Sequence, residues 1–510
     1  MTTHDVEIAI IGAGFSGLGA AIKLSQDGID DFVLFDRGAD FGGTWRDNVY
    51  PGAACDVPSH LYSYSFALNP DWSRSYSHQP EIHRYINDVA DQYGVRDKAR
   101  FGSDVTHAEW DEAAGHWRID YVRDGQKQSI TARTVVGGIG PLCEPNLPDI
   151  DGIDSFQGKI VHTSRWDTDF DYSGKNVAVI GTGASAIQVV PQLGKVVNHM
   201  DVYQRTAPWI IPRNERPYLG AEKWAFKHVP GLQSAIRGTI YSGSEFVAAG
   251  MTYAPKALKP VEFLSRGNIF RGIRDPELRK AVTPKFAVGC KRILKSNDWY
   301  PTLDQDNVEL VTDGIDRITP TGVVTKDGTA RDVDVLVVAT GFHVTDSPVF
   351  DTIVGANGQS LAQVWAQDGM QAYKGSFVHG FPNLMLLIGP STGLGHSSMV
   401  YMIESQLNYL VDYVRKTHAR GIVRTDVKHD VQDAYNSGLQ RTLRNSVWVT
   451  GGCASWYKDH TGKITALWPG FTFSFRNATR SFDLDAYETV TAEQPAAPAN
   501  ESSEPAIATV

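Results

Sequence analysis

Two glycine-rich turns carry the first recognisable chemistry in this sequence. Gly12-Ala13-Gly14-Phe15-Ser16-Gly17 follows the apolar run Ile8–Ile11, and Gly181-Thr182-Gly183-Ala184-Ser185-Ala186 follows "NVAVI". A GxGxxG turn between strand and helix suits a dinucleotide for three separate reasons. The first glycine permits the tight turn, the second lets the backbone reach the pyrophosphate, and the third lets helix and strand pack closely. The anion then sits at the helix N-terminus, where unpaired N–H groups point outward.

The residue that ends the following strand tells the two ligands apart. Asp36 stands 24 residues after Gly12 (36 − 12), where a carboxylate can accept hydrogen bonds from ribose hydroxyls. At the same offset from Gly181 (205 − 181) stands Arg205, a cation suited to a 2′-phosphate. The first site is therefore expected to hold FAD, and the second NADPH in preference to NADH.

The elements that must position these residues follow from periodicity. "VEIAIIGAGFSGLGAAIKLSQDGIDDFVLFDR" alternates strand, turn, helix and strand, with Leu18, Ala21 and Ile22 at helical spacing. The pattern recurs over 176–206, so an α/β fold with two Rossmann-like dinucleotide-binding domains is expected. Between the two units, alternating residues around Gly115 and Asp124-Gly125 predict an antiparallel meander. The stretch 214–290 is irregular, helical and rich in aromatics and cations, and is expected to be an insertion in the second domain. "DVDVLVVATGF" predicts a buried strand closing that domain. "FPNLMLLIGP" predicts a strand returning to the first, followed by a helix at "SSMVYMIESQLNYLVDYV". The resulting division is 1–150 and 351–490 for FAD, 151–213 and 291–350 for NADPH, and a disordered tail over 491–510.

The bulk properties exclude several classes. A chain of 510 residues with a formal charge of −10 is a poor general binder of nucleic acid or anionic membrane. Cys55, Cys143, Cys290 and Cys453 form no CxxC cluster, so neither a metal site nor a disulfide is expected. "MTTHDVEIAIIGAG" has no leader pattern, and no apolar run approaches ~18 residues. A cytoplasmic protein in a reducing compartment is the expectation; the oligomeric state is not legible.

Two further stretches resemble a known family. "FQGKIVHTSRWD" supplies Phe156, Gly158, His162, Trp166 and Asp167, and "GGTWRDNVYPGAACD" supplies Gly42, Gly43, Trp45, Tyr50, Pro51, Gly52 and Asp56. Together they match the FxGxxxHxxxW-(Pro/Asp) and GGxW…YPGxxxD patterns of the type I Baeyer–Villiger monooxygenases, class B flavoproteins. The likeness covers nearly the whole chain before the tail. The related N- or S-oxygenating flavin monooxygenases share the Phe, Gly and His but not the closing Trp-Asp. One departure is Ile139, where relatives carry a small or hydroxylated residue.

The resemblance implies an NADPH- and O2-dependent oxidoreductase that converts ketones to esters or lactones through a C4a-peroxyflavin, with sulfoxidation as a side activity. It implies that Arg292, in "GCKRILKSNDWYPTLDQDNVEL", is the active-site cation and that Asp56 positions it. A permanently protonated, forked donor suits a developing oxyanion. Phe156 to Asp167 would be a hinge between the two domains, with His162 a hinge residue and no proton-transfer group. Thr44, Trp45, Val57, Tyr62, Val105 and Met399 would join Gly43 and Asp56 around FAD. Thr206, Lys291 and Trp456 would join Arg205 at NADPH. The substrate walls are expected from the helical insertion, the 391–398 loop and the loop around Trp456. A flavin disulfide reductase is disfavoured because Cys55 has no near neighbour, and a flavin-binding sensor without turnover because Arg292 is retained.

Overall fold

Residues 4–492 are described by a computed structural model. Val6–Ile11 lies at the centre of the first sheet, its Ile8, Ala9 and Ile10 fully buried. Such a run, apolar on both faces, suits a parallel strand covered on each side. It pairs in parallel with Phe32–Phe35 on one side and Gln126–Gly137 on the other. Gln126–Gly137 is also the last arm of the antiparallel meander with His116–Arg123 and Ser103–Asp111. Leu384–Leu386 returns from far along the chain to pair in parallel with Val135–Gly137. The helix Met399–Ala419 then packs against Phe15–Gln26, covering one face of the sheet.

The second sheet is wholly parallel, in the order Val308–Val311, His199–Tyr203, Asn176–Ile180, Val335–Val338, Lys159–His162. Val335–Val338 lies inside this sheet, between Asn176–Ile180 and Lys159–His162. Every residue of Val335–Val338 is buried, as that place demands.

Ile210–Ile211 and Leu294–Lys295 pair in parallel at the base of the helical insertion. Its main helices are Gly220–His228, Leu232–Thr252 and Lys259–Gly272. Met251, Leu258, Phe286 and Val288 pack it onto Trp448, Tyr457 and Leu467.

Two expectations are corrected here. Cys290 and Cys453, 163 residues apart, form a disulfide, although neither stands in a cysteine cluster in sequence. The fold brings their Cα atoms to 6.1 Å, within the usual range for a disulfide. The expected tail also begins too early, because Tyr487–Thr491 is a strand paired antiparallel with Ile422–Val427. The rest of that call, 493–510, lies outside the described residues. Among the described residues, no helix is long and apolar enough to cross a membrane.

Candidate active site

A cleft of about 1580 Å³ is lined by both glycine-rich turns. In the first, Gly12 has φ +102°, and a Cβ on Gly17 would stand 1.8 Å from the Gly12 carbonyl oxygen. A Cβ on Gly14 would meet only the Gly43 Cα, at 3.7 Å, so the loop stays open at its middle glycine. Gly17 does not line the cleft. Its place is behind the turn, as the packing argument requires, and that corrects its assignment as a contact residue.

Asp36 shapes the loop as well as facing the cleft. Its Oδ2 accepts from Ala13 N at 2.7 Å, and its Oδ1 accepts from Gly38 N at 2.7 Å and Arg46 NH1 at 2.6 Å. A carboxylate offers about four acceptor positions, so one remains for a ribose hydroxyl. Beyond it, Gly43 (φ +51°) turns the chain into Thr44–Asp47, and Trp45 Nε1 donates to Tyr62 Oη at 3.0 Å. Phe15, Ser16, Val57, Val105 and Met399 line the same end.

At the second turn a Cβ on Gly181 would lie 2.6 Å from Ala339 O, whereas one on Gly183 would meet nothing within 4 Å. Thr182, Ala184, Ser185, Arg205, Thr206 and Lys291 line this end. Burial and the neighbouring Arg205 both lower the Lys291 pKa. Among the described residues neither cation has a carboxylate within ion-pair distance. Two adjacent uncompensated cations are chemically suited to an anion.

Arg292 faces the cleft between these ends. Its Nε donates to Asp56 Oδ2 at 2.5 Å and its NH2 to Oδ1 at 2.7 Å, a two-point fork, while NH1 donates to Leu394 O at 2.9 Å. Burial would raise the Asp56 pKa, but the Arg292 charge and hydrogen bonds, with Lys295 and Arg213, outweigh it and hold the carboxyl at about 2. Burial would likewise discharge Arg292, and Asp56 reverses that. The two keep each other ionised.

The tyrosine-proline-glycine segment explains how Asp56 reaches this place. Tyr50 Oη donates to Gln188 Oε1 at 2.8 Å, and Gln188 Nε2 donates to Ala54 O at 2.9 Å. A Cβ on Gly52 would stand 2.7 Å from Gln188 O. The segment is thus docked on the helix Ala186–Leu193 of the other sheet, two residues before Asp56. Gln188 was missed in sequence because it lies outside every motif. Lys295, whose Nζ donates to Asp56 O at 3.0 Å, and Arg213, which donates to Cys55 O at 3.0 Å, were missed as well. So was Tyr457, whose phenol burial pushes up to about 12, keeping it neutral beside Arg292.

Phe156, Gly158, His162, Trp166 and Asp167 do not line the cleft. Phe156 is buried under the second sheet, and a Cβ on Gly158 would lie 2.4 Å from Asp334 O. Trp166 stacks on Tyr172 at 4.8 Å, and Asp167 accepts from Lys159 Nζ at 2.6 Å. His162 ends the edge strand, its Nε2 donating to Gly341 O at 3.1 Å and its Nδ1 accepting from Ser164 N at 3.1 Å. Gly341 O also accepts from Asn146 N at 2.9 Å. Residues 145–146 and 341–342, which pair where the chain passes between the two sheets, are therefore clamped by His162.

Trp456 stands at the cleft with half its surface exposed, edge-on to Tyr457. Gly393, Leu394, Ser397, Ala466 and Leu467 line the neighbouring wall. No residue of 214–290 lines the cleft. The expected contribution of the insertion to the substrate wall is corrected accordingly: its apolar side packs behind that wall.

The family described as FMO-like, flavin-binding monooxygenase-like, matches residues 5–219. The chain is 46% identical over 486 residues to a protein of Streptomyces coelicolor named Baeyer–Villiger monooxygenase, covering 95% of this chain and 93% of that one. Among solved structures, OTEMO in complex with FAD and NADP superposes with a TM-score of 0.85 at 25% identity, covering 96% of this chain and 100% of that one. Cyclohexanone monooxygenase from Rhodococcus sp. Phi1 bound to NADP+ gives 0.85 at 28% identity, covering 96% and 99%.

Proposed function

The chain belongs to the Baeyer–Villiger monooxygenases, and from that premise we propose that Arg292, held by Asp56, is its catalytic cation. It is an FAD- and NADPH-dependent monooxygenase, inserting one oxygen of O2 beside a ketone carbonyl. FAD bound here and reduced by NADPH would activate O2, the source of the inserted oxygen. Everything else falls to the side chains.

The observation that carries the assignment is the Arg292–Asp56 fork facing a cleft shared by both glycine-rich turns. A guanidinium has five N–H donors. Three are engaged here, leaving two for negative charge developing on the oxygen of the ketone under attack. Asp56 keeps the fork oriented in advance, so little reorganisation accompanies the reaction. Asp36 and the Gly12 turn bind the FAD ribose and pyrophosphate, and Thr44, Trp45 and Tyr62 support the ring. Arg205 and Lys291 would hold the 2′-phosphate of NADPH, and Trp456 would close over the bound coenzyme. His162 ties the crossover between the two domains and takes no part in proton transfer, because it lies outside the cleft with its ring nitrogens engaged by Gly341 O and Ser164 N.

The domain division at 150, 213, 290 and 350 is part of the same reading, as is a cytoplasmic site of action. Re-reduction of NADP+ after each turnover supports the latter. The test is a panel of cyclic, linear and aryl ketones with purified enzyme, NADPH and O2. Products one oxygen heavier, identified as esters or lactones, are expected. NADPH consumption that yields only hydrogen peroxide, from every ketone, refutes the oxygenating role.

A further inference from the structure

We propose that Cys290–Cys453 is a redox latch that fastens the Trp456 loop to the segment carrying Lys291 and Arg292. The placement is the first argument. Cys290 immediately precedes Lys291 and Arg292, and Cys453 lies three residues before Trp456. One covalent bond therefore joins the two segments that bring cations and an aromatic lid to the same cleft.

The surroundings are built around the pair. A Cβ on Gly451 would stand 2.7 Å from the Cys290 Cβ and 2.8 Å from its Sγ, so the base of the loop must be glycine to close over Cys290. Ala287 N donates to Gly451 O at 2.9 Å, a second tie between the same two segments. Beyond that tie the loop is open, with Gly452, Ala454 and Trp456 exposed. Cys290 is fully buried, whereas Cys453 is half-buried and reachable by a small oxidant or reductant. Neither cysteine lines the cleft, which separates this pair from the flavin-facing dithiol of a disulfide reductase.

The oxidant is hydrogen peroxide, the product when NADPH and O2 react without a ketone: NADPH, a proton and O2 give NADP+ and hydrogen peroxide. The Cys453 thiol loses its proton and attacks one peroxide oxygen; an S–O bond forms, the O–O bond breaks, and the departing hydroxide takes up that proton and leaves as water. The Cys290 thiol then displaces the second oxygen as water and the S–S bond closes. Two thiols have given two electrons and two protons, and peroxide has become two waters. A dithiol reductant reverses the latch by exchange at the accessible Cys453 sulfur. Disulfides of this reversible kind are the ones that proteins of reducing compartments use as sensors.

The latched state holds Trp456 beside Lys291 and Arg292, and so holds NADP(H). Leaked peroxide thereby tightens the site that leaked it. The kinetic consequence rests on the cofactor assignments proposed above; the bond itself does not.

The experiment uses the FAD-loaded enzyme treated with hydrogen peroxide or with dithiothreitol, then freed of reagent. Free thiols are counted under denaturing conditions and Cys290–Cys453 peptides identified by mass. In parallel, the KM for NADPH and ester formed per NADPH are measured. Two free thiols after peroxide and four after reduction are expected. Reduction should raise KM by about fivefold or more, the scale of typical coupling between sites, and lower the ester yield. Cys453→Ser should keep three free thiols and the KM of the reduced enzyme under both treatments, and Cys143→Ser should show the wild-type KM shift with one free thiol after peroxide and three after reduction. Four thiols in both states overturn the latch, and so does a disulfide that forms without changing KM or coupling. If Cys453→Ser fails to fold, the wild-type comparison decides alone. Absence of ester in both states, with the KM shift intact, would count against the Baeyer–Villiger assignment and not the latch.

Discussion

Replacing Arg205 by alanine should separate the two nicotinamide coenzymes. Arg205 is exposed at the cleft, stands beside Lys291, and has no carboxylate partner among the described residues. Its removal therefore breaks no ion pair and leaves no buried charge behind, so the folded state should tolerate it. On the proposed assignment the substitution removes a charge-assisted hydrogen bond to the 2′-phosphate, worth about 1.5–3 kcal/mol. At 1.36 kcal/mol per decade that is about a 10- to 150-fold weakening of NADPH binding. NADH, with a hydroxyl in place of the phosphate, should change by less than about threefold, the usual scale of surface substitutions. Lys291 remains, so binding should not fall to the NADH level. Because Arg205 is exposed, added salt should weaken NADPH binding more in wild type than in the variant. The assay is anaerobic stopped-flow reduction of the flavin at varied NADPH and NADH, at low and high ionic strength. Equal losses for the two coenzymes, or an NADPH loss below about threefold, would refute the 2′-phosphate assignment.

Arg292→Ala should still bind FAD and oxidise NADPH but form hydrogen peroxide and no ester; Arg292→Lys should rescue little, because a point charge cannot reproduce the fork on Asp56. Product analysis by mass decides it. Gly158→Ala forces a Cβ to within 2.4 Å of Asp334 O and should cost about 1–3 kcal/mol, read as a lowered Tm, with FAD retained. His162 carries a pH prediction. Burial lowers its folded pKa to about 4 from 6.5, so between those values the unfolded chain binds more protons. Stability contributed by neutral His162 is complete above pH 6.5 and is lost as pH falls towards 4, by about 3 kcal/mol at most. Urea titrations of wild type and His162→Gln across that range should converge at low pH, and parallel curves would contradict this.

The local chemistry was legible because it is short-ranged. A turn that needs positive φ at Gly12 and Gly181, and no Cβ at Gly17, writes itself as glycine at fixed spacing. Asp36 directly follows the strand Phe32–Phe35 and Arg205 closely follows His199–Tyr203, so the two residues on which the proposed ligand assignments rest could be located from the turns alone. The motif around His162 was also visible, yet its reason was not. Its residues touch no cleft, and His162 acts by holding Gly341 O, 179 residues away in sequence. Arg292 and Asp56, 236 residues apart, could be paired in advance only through family likeness.

Where no likeness spoke, distance decided. Four cysteines without a cluster gave no hint that Cys290 meets Cys453, since two residues 163 apart can be brought together or kept apart by the same local pattern. Gln188, Lys295 and Arg213 look like ordinary surface polars until the Tyr50–Asp56 segment docks against them. The helical insertion was recognisable as helices, but which wall it supports depends on how Met251 and Leu258 pack on Trp448 and Leu467. Sequence determines what a residue can do within one turn or one strand, because sterics and hydrogen bonding act over a few ångströms. Tertiary structure alone decides which of those capacities meet, because that depends on packing between elements that the chain separates by hundreds of residues.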